Sequence, residues 1–357
     1  MSKVNTVNTV TINELRKVIP AIGGELTPVI QSEPGCGKTS LLNMMREDLG
    51  DDFDYIYVDC PVKDMSDIAM TIPNHETQTL ESYVGSLFKL DSPKPKVILL
   101  DEFMKSPKLL QVIFTRLMLE RCVGDTPLPE GSIVFATSNN ASDGVGDSML
   151  AHAGNRVCRV RMQKPNHEEW GMWATANGIS RVIRTFVAMY PRCLASYHDG
   201  GQENNSYIFK PGMGMLSFVS PRSLAKSDVI VRNRDVLGPT ATHAMLAGTI
   251  GASAAGDMAA FLLLDKSVTD VRDIVKDPSI PVPNEVAAQL MVIFQAVDVL
   301  ETHEELNEFM KWVNRVPSSE VQSIFMSQMC RVPRAARLAR RNEAINKWSR
   351  ENHVLFG

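Results

Sequence analysis

The chain has 357 residues, of which 44% are hydrophobic and 22% are charged, and its formal net charge is −4. These values are ordinary for a globular protein and leave room for two domains with cores of normal size. A charge of −4 does not mark the whole chain as nucleic-acid binding. No apolar run approaches the roughly 18 residues of a membrane-spanning helix, so we expect no membrane segment.

Cysteine and histidine spacing gives no sign of a disulfide framework or a metal site. The six cysteines are scattered without a Cys-x-x-Cys pair, and the seven histidines are scattered as well. This pattern indicates neither structural disulfides nor zinc. Because the N-terminus also shows no secretory leader, we expect a cytoplasmic protein with free thiols.

The first elements surround a glycine-rich loop. Residues 12–22 have apolar side chains at helical spacing, residues 26–30 form an apolar run typical of a buried strand, and residues 40–49 predict a helix. Strand, glycine-rich loop, Lys-Thr and helix in this order predict a phosphate-binding loop, in which backbone N–H groups and the helix N-terminus bind an anion. Lys38 would reach the β and γ phosphates, and the Thr39 hydroxyl would ligate Mg²⁺. The predicted nucleotide-binding residues are Glu33, Pro34, Gly35, Cys36, Gly37, Lys38, Thr39 and Ser40.

Two residues of this loop are unusual. Ser32 stands where the common pattern has its first glycine, and a left-handed backbone there would cost a serine about 1–2 kcal/mol. Cys36 lies beside the predicted helix N-terminus, so we expect its thiol pKa to be depressed. This predicts that thiol alkylation blocks ATP binding unless nucleotide protects the loop.

Two carboxylates follow a later strand. Residues 55–59 predict a second strand, and residues 60–96 a connection with one or two short helices, one of them near residues 80–87. Residues 97–100 predict a central strand buried on both faces, with Asp101 and Glu102 at its carboxyl end, where α/β sheets bind ligands. Asp101 would hold Mg²⁺, directly or through water, and Glu102 would polarise the attacking water. The alternative is an Asp-Glu pair that only caps a loop.

The next strand ends in a pair of amides. A helix is predicted over residues 108–121 and a buried strand over residues 132–137, followed by Asn139 and Asn140. An amide in this position can orient the water opposite the γ-phosphate, although asparagine is also a common turn former. The spacing leaves open which of the two amides has this role.

Pro165 divides the chain into two predicted domains. Residues 157–162 alternate as a half-exposed strand and complete an α/β nucleotide-binding domain over residues 1–165. Residues 166–357 predict a helical lid and a C-terminal helical extension. In this part Ser220 is expected to cap a helix that has Pro221 near its first position. Further helices are predicted over residues 167–177, 179–190, 246–264 (as a pair), 284–300, 303–313 and 320–349, the last broken near Pro333.

The order of these motifs resembles the MoxR branch of the AAA+ ATPases. The resemblance covers most of residues 26–230. It implies an α/β fold with a phosphate-loop core on a three-layer parallel sheet, followed by an all-α lid and a C-terminal helical region. The segments that carry it are residues 33–39, 100–103, 128–131, 135–139, 150–156 and 220–222.

The resemblance also implies roles for residues that spacing alone does not assign. Asn139 would be the sensor at the end of the fourth core strand, Arg156 the arginine finger that reaches the neighbouring subunit's site, and Arg222 the second sensor on the lid. The active site would then be shared between protomers of a ring, most often a hexamer. The implied activity is Mg²⁺-dependent ATP hydrolysis that remodels a partner protein in a chaperone-like manner, with a metal-ion-dependent adhesion (VWA-like) fold as one possible partner.

The C-terminal region supports a different hypothesis. Arginines 331, 334, 337, 340, 341 and 350, with Lys347, make it the most basic stretch of the chain. These cations could contact nucleic-acid phosphates, which would make the protein a nucleic-acid motor or loader. The interpretation preferred from the sequence is a solvated face, or ion pairs with the acidic helix over residues 301–308. A nucleotide-gated switch with negligible hydrolysis is the third hypothesis.

Overall fold

The computed structural model describes residues 9–140 and 156–352. The chain divides into two compact units, Met1–Lys164 with Lys210–Gly214, and Pro165–Phe209 with Met215–Gly357. None of the helices in the described ranges combines the length and the apolar character needed to cross a bilayer.

The first unit is built on a parallel sheet of six strands in the order β1-β10-β2-β9-β6-β3. All neighbouring strands of this sheet run parallel, so their carboxyl ends lie at one edge. Two antiparallel hairpins, β4-β5 and β7-β8, accompany the sheet. The strands are β1 (Thr9–Val10), β2 (Pro28–Ser32), β3 (Asp54–Asp59), β4 (Ala69–Asn74), β5 (Thr79–Val84), β6 (Lys96–Asp101), β7 (Cys122–Val123), β8 (Thr126–Pro127), β9 (Ile133–Asn139) and β10 (Cys158–Met162).

In the described part of this unit, the α-helices are α1 (Ile12–Ile22), α2 (Ser40–Leu49), α3 (Met65–Ile68) and α4 (Lys108–Glu120). Successive residues of the central strands face opposite sides of the sheet. Ile30 and Phe135 pack in one cluster with α1 and α2, whereas Val29 and Val134 pack in another with α4. The sheet is therefore covered on both faces, and the predicted three-layer α/β fold class is confirmed.

The hairpin β4-β5 corrects one prediction. We expected one or two short helices in residues 60–96, one of them near residues 80–87. The short helix α3 lies in this connection, but residues 79–84 form a strand that pairs with β4. Leu80, Tyr83, Val84 and Leu87 have the spacing of a helical face, yet Leu80 and Tyr83 are exposed. The pattern was misleading because periodicity reports secondary structure only when the apolar side chains face a core.

The second unit is helical and has two cores. One cluster joins α5 to α9, and the other joins α10 to α15, with α11 contributing to both. Residues 246–264 do belong to two helices, but the first, α8, begins at Arg234 and ends before Gly251. The predicted break near Pro333 is observed, since α13 ends at Arg331 and Pro333 begins α14. The helices are α5 (His167–Ala176), α6 (Arg181–Met189), α7 (Pro221–Arg232), α8 (Arg234–Ile250), α9 (Ala252–Asp265), α10 (Val271–Lys276), α11 (Val286–Val299), α12 (His303–Val313), α13 (Ser319–Arg331), α14 (Pro333–Ala339) and α15 (Glu343–Glu351).

Candidate nucleotide-binding site

The predicted site lies at the carboxyl edge of the parallel sheet, where β2, β9 and β6 end side by side. Ser32 at the end of β2 is in register with Asn139 at the end of β9. Asp101 ends β6, and Glu102 follows it directly. Since strands in this order are adjacent, residues that are 62 and 101 positions apart in the sequence become neighbours.

The loop between β2 and α2 has the backbone of an anion cradle. Gly35 and Gly37 have φ angles of 78° and 92°, which residues with a side chain rarely adopt. A Cβ atom added at Gly37 would lie 3.4 Å from the Ser40 hydroxyl. The Ser40 hydroxyl donates to the carbonyl of Gly37 at 2.6 Å and tightens the turn into α2. The glycines thus allow a loop shape that suits an anion at the N-terminus of α2.

Lys38 is buried and held by oxygen atoms at the strand ends. Its Nζ donates to Asn139 Oδ1 at 2.8 Å, to Ser32 Oγ at 3.1 Å and to the Ser32 carbonyl at 3.2 Å. Ser32 belongs to β2 and does not have a positive φ, so the backbone strain that we considered for this position is absent. Instead of straining the loop, Ser32 adds a side-chain acceptor for Lys38.

Asp101 is the centre of a second group of contacts. Its Oδ2 lies 3.3 Å from the Thr39 hydroxyl and 3.0 Å from the Tyr57 hydroxyl, while its Oδ1 accepts a hydrogen bond from Thr137. Burial and the Asp101 carboxylate raise the pKa of the Tyr57 phenol, so Tyr57 stays protonated and donates. Thr39 does not cap α2 with its side chain, which leaves its hydroxyl beside Asp101.

The pair Thr39 and Asp101 fits the ligand preference of Mg²⁺. Magnesium is commonly held by one or two carboxylates together with substrate phosphates and waters. Within the described ranges, no group of three His, Cys, Asp or Glu residues could hold a metal ion. A hydroxyl and a carboxylate 3.3 Å apart therefore match an ion that would be shared with a phosphate.

Glu102 has an unusual backbone and a charged partner. Its φ of 51° lies in the left-handed region, which costs a non-glycine residue about 1–2 kcal/mol. Its N–H points to the Thr137 hydroxyl at 3.4 Å, and its Oε2 accepts from Lys105 Nζ at 2.6 Å. The sharp turn after β6 thus places a second carboxylate next to Asp101 without extending the strand.

The thiol of Cys36 contradicts our expectation of a reactive cysteine. Cys36 is 2% exposed, and burial, followed by the nearby Glu33 carboxylate, raises its pKa to about 11. The side chain of Glu33 is itself buried and forms an ion pair of 3.7 Å with Lys164. Burial in this pocket outweighs the helix N-terminus, because a thiolate would lose its water there.

The two arginines implied by the family resemblance are placed as follows. Arg156 belongs to the first unit and is exposed; residues 150–155 of the same motif lie outside the described residues. Arg222 belongs to the second unit, is exposed, and is the second residue of α7. Ser220 caps this helix and Pro221 occupies its first position, as predicted. The proposed roles of both arginines remain predictions.

Several polar residues around the site were missed in the sequence. Tyr57, Lys105, Thr137 and Lys164 each contact one of the predicted site residues. Thr137 lies two residues before Asn139 on the same strand, and that spacing could have indicated a residue on the same side of the sheet. Nothing in the spacing of Tyr57 or Lys164 indicates such contacts.

A family model and several solved structures are similar to parts of this chain. Residues 28–126, well under half of the chain, match the model of the viral superfamily 1 RNA helicase core domain. No curated protein matches.

Similar solved structures include a provisionally assigned ATPase from Cytophaga hutchinsonii (16% identity, covering 67% of this chain and 80% of that chain, TM-score 0.34). Another is the Thermotoga maritima RuvB Holliday junction branch migration motor (13% identity, 74% of each chain, TM-score 0.37). A third is NtrX from Brucella abortus (12% identity, 94% of this chain and 68% of that chain, TM-score 0.32). At these TM-scores the similarities carry no functional argument.

Proposed function

We propose that the protein is a Mg²⁺-dependent ATPase of the AAA+ class. The observation that carries this proposal is the 3.3 Å approach of the Thr39 hydroxyl to the Asp101 carboxylate. It joins the end of a phosphate loop to the end of a buried strand, and Glu102 follows as a second carboxylate. If residues 32–39 formed only a connecting turn, or if Asp101 and Glu102 only capped a loop, Thr39 and Asp101 would have no reason to lie in contact.

Each residue has a chemical role in this proposal. The loop N–H groups and Lys38 would bind the phosphates, and Thr39 and Asp101 would hold Mg²⁺, which would neutralise phosphate charge. Glu102 accepts the proton of the attacking water as general base. Asn139 positions the Lys38 ammonium, which it contacts at 2.8 Å, and its amide orients the water.

The finer proposal is a ring that remodels a partner protein. It is supported by the resemblance of the sequence to the MoxR branch, which includes Arg156 and Arg222 in motif positions. In a ring, most often a hexamer, Arg156 stabilises the transferring phosphoryl group in the neighbouring subunit and Arg222 closes over the γ-phosphate. The partner is a protein, in our proposal one with an adhesion-type fold. All six cysteines are free thiols, which supports a reducing, cytoplasmic setting.

Two variants test the hydrolytic site. Lys38→Ala should abolish nucleotide binding, because it removes the buried cation that faces the loop. Glu102→Gln should bind ATP but lower the rate of phosphate release by about 10²–10⁴-fold, the usual contribution of a general base. Lys17→Ala, which removes an exposed lysine of α1, is the matched control and should change neither property.

The measurements are nucleotide binding by calorimetry and phosphate release under single-turnover conditions. Turnover by Glu102→Gln close to that of the parent protein would remove Glu102 as the base. Full binding by Lys38→Ala would overturn the assignment of the phosphate loop. The remodelling role is tested by mixing Glu102→Gln with purified candidate partners, since the ATP-bound variant should retain its partner and Lys38→Ala should not.

A further inference from the structure

The C-terminal end of the described chain carries a concentrated positive charge. Seven of the 37 lysines and arginines, but only one of the 41 acidic residues, lie in residues 331–350. We call this stretch the basic segment. All seven cations are exposed: Arg331, Arg334, Arg337, Arg340, Arg341, Lys347 and Arg350. The rest of the chain must therefore be clearly acidic, since the net charge is −4.

The basic segment is a rigid part of the helical unit. The opposite sides of α14 and α15 are buried in its core through Ala335, Ala339, Ile345 and Trp348. Trp348 Nε1 also donates to Gln322 Oε1 of α13 at 2.8 Å. Four of the cations, Arg334, Arg337, Lys347 and Arg350, thus belong to two helices whose backbones are anchored, so little backbone entropy is lost when the segment binds a partner.

The connection between α14 and α15 is fixed as well. The buried Asn342 caps α15 by accepting from the N–H of Ile345 at 3.0 Å, and its Nδ2 donates to Asn307 Oδ1 of α12 at 2.8 Å. Arg340 and Arg341 directly precede this cap. Together with the backbone hydrogen bonds from Arg340 to Ala336 and from Asn342 to Ala339, the Asn342 side chain therefore holds the turn that presents two adjacent arginines.

The acidic helix nearby does not neutralise these arginines. From the sequence we preferred a solvated face, or ion pairs with residues 301–308. In the described part of the chain, Arg334 pairs with Glu301 of this stretch at 3.3 Å, whereas Arg337, Arg340 and Arg341 are exposed without such a pair. Glu305 accepts from the backbone N–H groups of Glu301 and Thr302, and Glu308 pairs with Lys311.

Lys347 approaches Glu351 at 4.0 Å. Among the residues that the structure describes, Arg337, Arg340 and Arg341 form no ion pair with any carboxylate. Their charge is therefore available to a partner.

We propose that the basic segment binds the phosphate backbone of nucleic acid without reading its sequence. Six of its seven cations are arginines, and the planar guanidinium group binds phosphate oxygens in a bidentate manner that an ammonium group cannot match. The segment presents no exposed aromatic side chain for stacking on bases, since its tryptophan is buried. Binding is therefore electrostatic and depends steeply on salt.

The test compares the parent protein with the triple variant Arg337→Gln/Arg340→Gln/Arg341→Gln. Affinity for a fluorescent 25-base-pair DNA duplex of mixed sequence is measured by anisotropy between 50 and 200 mM salt. Each phosphate contact contributes about 0.9 to the slope of log affinity against log salt. For the triple variant, the magnitude of this slope should therefore be smaller by about 2.7. Between 50 and 200 mM salt the factor by which affinity decreases should then be about 40 times smaller for the triple variant than for the parent protein.

A matched variant controls for total charge. Lys266→Gln/Arg272→Gln/Lys276→Gln removes three exposed cations of the same helical unit outside the basic segment, and it should bind as the parent does. Thermal unfolding checks that both variants fold. ATP hydrolysis by both should match the parent, which separates this proposal from the proposed ATPase activity.

The proposal is overturned by any of three results: no binding of DNA by the parent protein at 50 mM salt, equal slopes for the parent and the triple variant, or an equal loss in the control variant. Competition with polyglutamate provides a fourth test. If polyglutamate displaces the duplex as well as unlabelled DNA of the same charge does, the segment is a site for an acidic protein surface instead.

Discussion

Ser32 provides a sharp test of how the phosphate loop is built. Ser32→Ala removes the hydroxyl that accepts from Lys38 at 3.1 Å and donates to the Glu33 carbonyl at 3.1 Å. Lys38 keeps Asn139 and the backbone carbonyl, so we expect a loss of about 1.5 kcal/mol, the lower end for a hydrogen bond to a charged group. Ser32→Gly should lose a further 0.5–1 kcal/mol, roughly the entropic cost of glycine in a strand.

The relative stability of Ser32→Ala and Ser32→Gly distinguishes two explanations for the serine at position 32. If Ser32 had the strained left-handed backbone that its place in the motif first suggested, glycine would relieve about 1–2 kcal/mol and be more stable than alanine. Because Ser32 ends β2 without a positive φ, we expect alanine to be the more stable of the two.

The free energy of unfolding is measured by urea denaturation, and hydrogen exchange of the amides in β2 and α2 reports the local effect. Ser138→Ala is the matched control, since the Ser138 hydroxyl donates to the next carbonyl at 3.1 Å and is equally buried. In a Lys38→Met background, Ser32→Ala should cost only as much as Ser138→Ala. Higher stability of Ser32→Gly than of Ser32→Ala, or an unchanged cost after Lys38 is replaced, would refute the reasoning.

Two further predictions concern the loop thiol and the shared site. Burial raises the pKa of Cys36 to about 11, so about 10⁻³ of this thiol is ionised at pH 8, and the side chain is only 2% exposed. Peptide-resolved iodoacetamide labelling should therefore modify Cys36 more slowly than Cys330, which is exposed although partial burial also raises its pKa. Labelling at similar rates would contradict the burial argument. If Arg156 acts in a neighbouring subunit, mixing the inactive variants Lys38→Ala and Arg156→Ala should restore part of the ATPase activity, because some interfaces then combine an intact Lys38 with an intact Arg156. Activity that stays at the level of the separate variants would remove the proposed role in trans.

The sequence by itself was sufficient for the elements that have a strong local pattern. The strands before Ser32, Asp101 and Asn139 were predicted because buried central strands are continuous apolar runs between turn residues. The helix cap at Ser220 and the break at Pro333 depend on neighbouring residues only, so they too could be identified locally. The glycines of the phosphate loop belong to the same class.

The tertiary structure decided how these pieces interact. The hairpin over residues 69–84 is paired across strands, and most of its apolar side chains, Met70, Ile72, Leu80 and Tyr83, are exposed, so their spacing reports no core. The pKa of Cys36 depends on burial and on Glu33 rather than on the nearby helix end, and Tyr57 reaches Asp101 only because β3 lies beside β6.

Ser32 shows the same division between sequence and structure. The sequence identified Ser32 as a departure from the usual motif. Its backbone conformation and the position of Lys38 decided that Ser32 is an unstrained hydrogen-bond acceptor and not a strained residue. Local patterns determine secondary structure, whereas burial and contacts between distant residues determine the chemistry of each side chain.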